Sequence, residues 1–268
     1  MHIKKSMLVF AALIFASFSN ICYAAEMKWT YDEKTATVFV KGYGIINDAT
    51  GLNQYLNKAK RIEIQKGVTK IDKNVFVDCG NVEEFVLPEG LTDIGDNSFS
   101  LSGSIKHIEM PDTLESIGSE AFMGCTELED FILPKSLNRI GKNAFSECES
   151  IKEFKVSAGN SSFKATDGVV FSKDGSELIL YPPGREETVY TVPDGVTKIH
   201  TSAFSYNDNL TDIILSDTVK EIDDYAFFFC ESLNNIEFGS GLQSIGNYAF
   251  YGTKLKKAEI PFGTQKNR

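Results

Sequence analysis

The chain has 268 residues, of which 42% are hydrophobic and 24% are charged, a composition typical of soluble proteins. Its formal net charge of −10 argues against nucleic acid or an anionic membrane as a partner held by general electrostatic attraction. An acidic surface more often keeps a secreted protein soluble.

Residues 1–24 have the pattern of a secretory signal peptide. Lys4 and Lys5 form a positively charged start, residues 7–18 are apolar or small, and Cys22–Ala24 places small side chains at positions −3 and −1 of a cleavage site. The apolar run is too short and wrongly flanked for a membrane span. A lipid-bearing Cys22 is the less favoured alternative, because Ile21 is bulky where a small residue is expected. We therefore predict a secreted or cell-surface protein, cleaved after residue 24.

Residues 25–58 are rich in β-forming residues and lack the repeat that follows them. The runs Trp29–Tyr31 and Thr37–Lys41 flank the polar turn Asp32–Lys34 and predict a hairpin. Apolar residues on one side of Asn53–Lys60 predict a short helix. Because the first turn of a repeat array needs an atypical cover, this segment is predicted to be an N-terminal cap.

Residues 59–268 carry a unit of 23 residues. The stretches 105–127 and 128–150 are near-copies that share the pattern L-x-x-I-x-L-P-x-x-L-x-x-I-G-x-x-A-F-x-x-C-x-x. A fixed period of this length indicates a solenoid, in which each repeat buries its apolar residues against its neighbours. The phenylalanine of the Ala-Phe pair marks the period, at Phe76, Phe99, Phe122 and Phe145 and, after an interruption, at Phe204, Phe227 and Phe250.

The spacing inside a repeat predicts two short strands. Phe85 and Leu87 alternate, so both face inward from an extended segment that Pro88 ends. Leu91 and Ile94 start a second extended piece, which ends in a glycine where the backbone is expected to turn sharply. The predicted fold class is an α/β-type repeat solenoid with short parallel strands, short helical turns, a β-rich cap and one inserted hairpin.

The repeat is interrupted at residues 157–192 and incomplete at its end. Val169–Phe171 and Glu177–Tyr181 flank an Asp-Gly turn, which predicts a β-hairpin that bulges from a degenerate repeat. The last repeat stops at Pro261 before its Ala-Phe pair. Its edge is therefore predicted to be poorly capped, and either truncated or able to pair with another chain.

The unit resembles the leucine-rich repeat of the BspA-like surface proteins of bacteria, although it lacks the Asn or Cys that follows the first strand of the common leucine-rich consensus. The resemblance covers residues 59–261 and extends to the N-terminal W-x-Y-D motif and to D-G-V-V-F-S-K-D-G in the insertion. It implies a surface or secreted protein that binds another protein, such as a component of the host extracellular matrix, and that helps bacteria adhere.

Four cysteines share one repeat position, which two readings explain. Free cysteine behaves as a small buried hydrophobe, and we favour this reading. The alternative is a Cys125–Cys148 disulfide, since adjacent strands bring equivalent Cα atoms to about 4.8 Å, although parallel side chains fit such a bond poorly. The four are Cys79, Cys125, Cys148 and Cys230.

The sequence gives little support to an enzyme. His107 and His200 occupy different repeat positions, and no nucleophile elbow, phosphate-binding loop or metal-binding spacing is present. We predict no catalytic residue, no cofactor and no metal.

The late repeats carry aromatic residues around the Ala-Phe pair, where early repeats have small or polar residues such as Glu120, Asn143 and Glu147. Exposed rings on adjacent repeats would form a binding surface, because tyrosine is favoured at interfaces. The alternative is that the rings tuck into the solenoid or cover its C-terminal end. The residues concerned are Tyr206, Tyr225, Phe228, Phe229, Tyr248 and Tyr251.

Taken together, these patterns favour an exported, adhesin-like protein-binding module. One alternative is a structural envelope component that associates with itself through the C-terminal edge of the solenoid. The other is a glycan-binding protein that uses the exposed tyrosines.

Overall fold

The computed structural model describes residues 27–256 and 259–266. The predicted signal peptide lies outside the described residues. The chain forms a β-solenoid of about nine turns, and each turn of the solenoid is called a rung below. Within the described residues, the only helix is one short 3-10 segment, Thr50–Leu52. The predicted helix over Asn53–Lys60 is wrong, because this stretch is held by local turn bonds such as Tyr55 N–H to the Leu52 carbonyl oxygen.

Short strands account for nearly all of the regular structure. In chain order they are β1 (Lys28–Asp32), β2 (Thr37–Lys41), β3 (Gly44–Ile46), β4 (Arg61–Ile64), β5 (Val68–Ile71), β6 (Glu84–Val86), β7 (Asp93–Ile94), β8 (His107–Glu109), β9 (Ser116–Ile117), β10 (Phe131–Leu133), β11 (Arg139–Ile140), β12 (Phe154–Val156), β13 (Phe163–Thr166), β14 (Val169–Ser172), β15 (Glu177–Leu180), β16 (Val189–Thr191), β17 (Lys198–Ile199), β18 (Asp212–Ile214), β19 (Glu221–Ile222), β20 (Asn235–Glu237), β21 (Ser244–Ile245) and β22 (Gln265–Lys266).

Two faces of the solenoid are parallel sheets, to which each regular rung contributes one strand apiece. The first face runs β2-β4-β6-β8, then β10-β12 and, beyond the insertion, β16-β18-β20. The second runs β3-β5-β7-β9-β11 and then β15-β17-β19-β21-β22. Equivalent residues are paired, as Ile62 is with Phe85 and Phe85 with Ile108. The prediction of stacked parallel strands in a 23-residue register is confirmed.

The third side of the solenoid, which we call the turn face, surrounds the Ala-Phe pairs, and the prediction of helical turns there is wrong. The N–H groups of Asn97, Phe99 and Leu101 donate to carbonyl oxygens of the next rung at 2.9, 2.8 and 2.7 Å. Asn97 and Leu101 are left-handed, with φ of 55° and 62°. An α-helix needs right-handed residues throughout and bonds within its own segment, so these turns cannot be helical.

The interior is a column of phenylalanine rings, one from each turn. Phe99 and Phe122 stack with their centroids 5.1 Å apart and their planes 3° from parallel, and Phe122 stacks on Phe145 at 5.4 Å. At the N-terminal end the half-buried Trp29 packs edge-on against Phe76, with 6.2 Å between the rings. The antiparallel pair β1–β2 brings Trp29 to this place, and β2 itself pairs in parallel with β4.

Glycines that follow the second strand of several rungs are required by close packing. Gly95, Gly118, Gly141 and Gly246 do not have the positive φ that a left-handed turn would give. A Cβ atom on Gly141 would lie 2.3 Å from the backbone nitrogen of Ser119 on the preceding rung. These glycines therefore let successive rungs approach each other closely at the point where the second strand ends and the turn begins.

The insertion is a three-stranded antiparallel meander, β13-β14-β15, of which the β14–β15 hairpin was predicted. The turn before β14 interrupts the first sheet, because the Phe154 N–H of β12 donates to the carbonyl oxygen of Gly168. On the interior side Tyr181 takes the place of a phenylalanine, stacking on Phe204 with 4.9 Å between the rings. Tyr181 is therefore the first ring of a second column, which runs on through Phe204, Phe227 and Phe250.

The last rung continues one of the two sheets. Gln265 and Lys266 of β22 pair in parallel with Ser244 and Ile245 of β21. Self-association through this edge stays a prediction.

Candidate functional site

All six late-repeat aromatic residues meet on the turn face of the three rungs that contain Phe204, Phe227 and Phe250. We call the set of Tyr206, Tyr225, Phe228, Phe229, Tyr248 and Tyr251 the aromatic patch. Its rings form three short columns along the solenoid axis, two rings to a column. The stacked pairs are Tyr225–Tyr248 at 5.4 Å, Phe228–Tyr251 at 5.6 Å and Tyr206–Phe229 at 5.5 Å, with interplanar angles of 20°, 21° and 10°.

The ring planes of neighbouring columns are nearly perpendicular to each other. Tyr225 meets Phe228 edge to face at 5.2 Å and 74°, and Phe228 meets Phe229 at 4.6 Å and 82°. Aromatic rings favour both arrangements, the offset stack and the edge-to-face contact. The repeat sets the stacking along the axis, since residues one repeat apart lie above one another. The patch is therefore a continuous layer of mutually supporting rings.

The patch lies on the surface and is only partly covered. Tyr248 and Tyr251 keep 58% and 55% of their surface exposed, and the other four rings are half-buried against each other. The interior phenylalanines of the same rungs, Phe204 and Phe227, are fully buried. None of the six patch rings is fully buried, so they lie outside the interior column that Phe204 and Phe227 form.

Four patch residues have a backbone conformation that bulky side chains avoid. Tyr225 and Tyr248 stand two residues before the buried phenylalanine of their rungs, and Tyr206 and Phe229 stand two residues after it. Their φ angles are 60°, 53°, 58° and 52° respectively. Glycine, asparagine and aspartate tolerate the left-handed region best, whereas a bulky residue there is an outlier.

Early rungs adopt the same conformation at the same two positions, more often with residues that suit it. The position before the phenylalanine holds Asn74, Asn97, Glu120 and Asn143, and the position after it holds Asp78, Leu101, Gly124 and Glu147, all with positive φ. The aromatic residues of the late rungs therefore carry a conformational cost of order 1 kcal/mol each that the early rungs mostly avoid.

Charged side chains border the patch on the side of the insertion. The Lys142 ammonium lies 3.2 Å from the centroid of the Tyr225 ring. Burial, followed by the charges of Glu147 and Glu120, raises the pKa of the Tyr206 phenol. Burial also raises the pKa of the Glu147 carboxyl, with smaller contributions from Glu149 and Asp208. One border of the patch is thus acidic, with a single lysine seated on a ring.

Beneath this border the hydrogen-bond ladder of the turn face is interrupted. The Ser146 and Ser205 hydroxyls bond to each other at 2.8 Å. A cavity of about 10 Å³ lies between the two turns, enough for one water molecule. Among the described residues, the Asn143 Oδ1, Tyr181 hydroxyl and Ser202 Oγ atoms are buried without a hydrogen-bond partner, and their residues line this cavity.

The four cysteines are free, buried thiols, so the alternative of a Cys125–Cys148 disulfide is wrong. Each of three thiols donates to the carbonyl oxygen of a phenylalanine on the preceding rung: Cys125 to Phe99 at 3.2 Å, Cys148 to Phe122 at 3.1 Å and Cys230 to Phe204 at 3.0 Å. Burial raises the pKa of Cys125 to about 12. These thiols are structural and unreactive, because the thiolate is the reactive form.

A cleft at the insertion is lined by opposite charges. It measures about 520 Å³ and is lined by Lys152, Glu153, Asp167, Arg185, Glu186 and Glu187. Arg185 pairs with Asp167 and Glu187, at 2.7 Å each, and also donates to the Asp167 carbonyl oxygen. These bonds hold the turn before β14 in place. Within the described ranges no group of three or more His, Cys, Asp and Glu side chains could hold a metal ion.

Sequence reasoning identified the rings of the patch but missed two of its properties. The contact between Lys142 and the Tyr225 ring could not be predicted, because the insertion separates the two residues along the chain. The left-handed conformations did have a signal, since asparagine recurs in the early rungs at the position of Tyr225 and Tyr248.

The family model of the BspA type leucine rich repeat region matches residues 53–172 and 188–267, in six copies. No curated protein matches the chain in sequence. Among solved structures, the pneumococcal vaccine antigen PcpA is similar, with a TM-score of 0.68 and 24% identity over 91% of this chain and 76% of that one.

A leucine-rich repeat protein from Eubacterium ventriosum superimposes with a TM-score of 0.56 and 18% identity over 91% of both chains. A leucine rich cell surface protein from Faecalibacterium prausnitzii superimposes with a TM-score of 0.52 and 22% identity, over 89% of this chain and 82% of that one. At these identities the structures support the fold. No helix in the described part of the chain is long and apolar enough to cross a membrane.

Proposed function

The chain belongs to the BspA-type leucine-rich repeat family, and from this membership we propose that it is an exported, adhesin-like protein-binding module. It acts at the cell surface or after secretion, as the pattern of residues 1–24 predicts. Its partner is a protein, with components of the extracellular matrix as the first candidates. The aromatic patch is the proposed contact surface.

The observation that carries this proposal is the left-handed conformation of Tyr206, Tyr225, Phe229 and Tyr248. Five of the eight equivalent residues in early rungs are asparagine, aspartate or glycine, which suit this conformation, and the other three are Leu101, Glu120 and Glu147. Strained residues persist where a function requires them or where their surroundings compensate. Stacking among the rings offsets part of the cost, but it leaves Tyr248 and Tyr251 more than half exposed. A layer of exposed aromatic rings is typical of a protein-binding surface.

Two relatives are consistent with a place outside the cell. The pneumococcal protein is described as a vaccine antigen and the Faecalibacterium protein as a cell surface protein. These descriptions concern those proteins, and they support the proposed location of this chain only as analogy.

A binding screen tests the proposal. The protein from residue 25 onward is passed over immobilised fibronectin, fibrinogen and other matrix proteins, beside a Tyr225→Asn/Tyr248→Asn variant. Asparagine is chosen because Asn74, Asn97 and Asn143 occupy the equivalent position in folded rungs. Tyr43→Asn is the matched control, because Tyr43 is also exposed, at 65%, and lies outside the patch.

The proposal predicts that wild type and Tyr43→Asn bind a matrix protein and that the double variant does not. Equal binding by all three would place the contact surface elsewhere on the solenoid. If no protein binds, a glycan array and light scattering test the remaining readings. A glycan hit would replace the protein partner, and dimers at high concentration would favour self-association.

A further inference from the structure

The aromatic patch already holds one cation, and that cation belongs to the chain itself. The Lys142 ammonium sits over the ring of Tyr225, the first ring of its column, at 3.2 Å. The last ring of that column, Tyr248, is 58% exposed. The electron-rich face of a tyrosine attracts ammonium and guanidinium groups within about 6 Å. The cation–π contact of Lys142 is therefore an example of the contact that an exposed ring of the patch can make with a cationic side chain of a partner.

The border of the patch adds negative charge to the rings. Glu120 and Glu147 act on the phenol of Tyr206, and Glu149 and Asp208 act on Glu147. Within the described ranges, Lys142 is the only cation seated on a ring of the patch. The chain as a whole carries a net charge of −10. Aromatic faces beside carboxylates match a partner that is positively charged.

Given the protein-binding function proposed above, on which this step depends, we infer that the patch binds a basic segment of the partner. One lysine or arginine of that segment lies against Glu147 beside Tyr206, and a second lies over the exposed rings of Tyr248 and Tyr251. Carboxylate contacts and ring contacts together select a cationic side chain over a neutral one of the same length.

The spacing of the rungs sets the length of the segment. The turns of Phe145 and Phe204 are neighbours on the turn face, since Ser146 bonds to Ser205, so Glu147 and Tyr251 are separated by three steps from turn to turn. Stacked strands are separated by about 4.8 Å, and three such steps give a distance of roughly 15 Å. An extended peptide covers this distance with about four or five residues. The recognised segment is therefore an extended peptide with two basic residues about four positions apart.

Synthetic peptides test this inference without the natural partner. Fluorescence anisotropy compares a labelled extended peptide that carries two lysines about four positions apart with the same peptide carrying glutamines, and with its acetyl-lysine form. The lysine peptide is expected to bind at least about tenfold more tightly than either neutral peptide. Its affinity should fall as salt is added, because the carboxylates on the surface are screened.

Two variants locate the site of the peptide. Glu147→Gln and Tyr248→Asn should each weaken binding of the lysine peptide, and Glu237→Gln, a change to an exposed carboxylate on strand β20, should not. Equal affinity for the lysine and glutamine peptides would overturn the inference, as would unchanged binding by Glu147→Gln. A neutral glycan that binds in place of the lysine peptide would also overturn it.

The inference and the proposed function fail in different ways. If a matrix protein binds through the patch and neither salt nor acetylation of its lysines weakens the complex, the proposed function stands and the basic segment is wrong. If the lysine peptide binds at the patch and no matrix protein does, the choice of matrix partner is wrong and the inference stands.

Discussion

The ammonium of Lys142 lies 3.2 Å from the centroid of the Tyr225 ring, although the inserted meander separates the two residues along the chain. Lys142 belongs to the last rung before the insertion, and Tyr225 belongs to the second rung after it. The contact thus spans the place where the ladder of the turn face is interrupted. It joins the early and late parts of this face.

Removing the charge of Lys142 should weaken this junction. We expect Lys142→Met, which keeps an unbranched apolar stem, to lower the free energy of unfolding by about 0.5–2 kcal/mol. Lys142→Arg should cost little, because a guanidinium also binds the face of a ring. Urea denaturation followed by circular dichroism measures both. A Met variant as stable as wild type would show that the contact contributes nothing.

The left-handed backbone of Tyr248 decides which residues can replace it. Tyr248→Asn should be tolerated, because asparagine adopts this conformation and the ring of Tyr248 is largely exposed. Tyr248→Val should cost at least about 1 kcal/mol more, since β-branched residues are strongly disfavoured at positive φ. Thermal denaturation of the two variants compares them directly. Equal melting temperatures would mean that the conformation imposes no constraint.

The Cys148 thiol should be replaceable by serine but not by alanine. Cys148 Sγ donates to the Phe122 carbonyl oxygen at 3.1 Å, and Ser102 Oγ makes the same bond to Phe76 at 2.9 Å on an earlier rung. Cys148→Ala removes one of the two donors to the Phe122 carbonyl oxygen, which keeps the Cys125 N–H at 3.1 Å, and it empties the buried space of the sulfur, at a total cost of about 1 kcal/mol. Cys148→Ser should cost less. The ranking is checked by urea denaturation, and an alanine variant more stable than the serine variant would contradict it.

Gly141 should not tolerate a methyl group. A Cβ atom there would lie 2.3 Å from the Ser119 backbone nitrogen, so the rungs would have to separate. We expect Gly141→Ala to destabilise the protein by about 1–3 kcal/mol. Gly80→Ala is the matched control, since the nearest atom to its Cβ is 3.7 Å away. Similar melting temperatures for the two variants would exclude this role of Gly141.

The carboxyl of Glu147 makes stability depend on pH. Burial, followed by Glu149 and Asp208, raises its pKa in the folded protein. The folded protein therefore binds the carboxyl proton of Glu147 more tightly than the unfolded chain does. The stabilisation from this proton is fully present below the unfolded pKa of about 4.3, and it is lost as the pH rises through the folded pKa.

Glu147→Gln should therefore raise the melting temperature at pH 7 and leave it unchanged near pH 3. The gain at pH 7 is at most about 1 kcal/mol, because the carboxyl is partly solvated. A gain of the same size at both values of pH would show that the charge is not its cause.

The fold was predictable because the same pattern of apolar residues recurs in each 23-residue repeat. Pairs such as Phe85 and Leu87 place the strands, and the 23-residue interval fixes their register. The helical turns were mispredicted, since a short Ala-Phe segment fits a helix or a turn equally well. What excludes the helix is the bonding of N–H groups such as that of Phe99 to the next rung, and this depends on a neighbour that local propensity does not include.

The patch was partly predictable for the same reason. Tyr225 and Tyr248 are one repeat apart, so their stacking follows from the period alone. The place of Lys142 depends on how the meander closes the gap between the turns of Phe145 and Phe204. That geometry is set by packing around Tyr181, which has no counterpart in the repeat pattern.

The most direct test of the proposed function converts the late rungs to the chemistry of the early ones. The variant Tyr206→Gly/Tyr225→Asn/Phe229→Gly/Tyr248→Asn places at each left-handed position a residue that Gly124 or Asn97 shows to be compatible with it. Its dissociation constant for the matrix protein found by the screen is compared with that of wild type. We predict a loss of at least about 30-fold, the effect of removing the central residues of an interface, with an unchanged circular dichroism spectrum. A folded variant that binds as tightly as wild type would contradict the proposal that this protein recognises its partner through the aromatic patch.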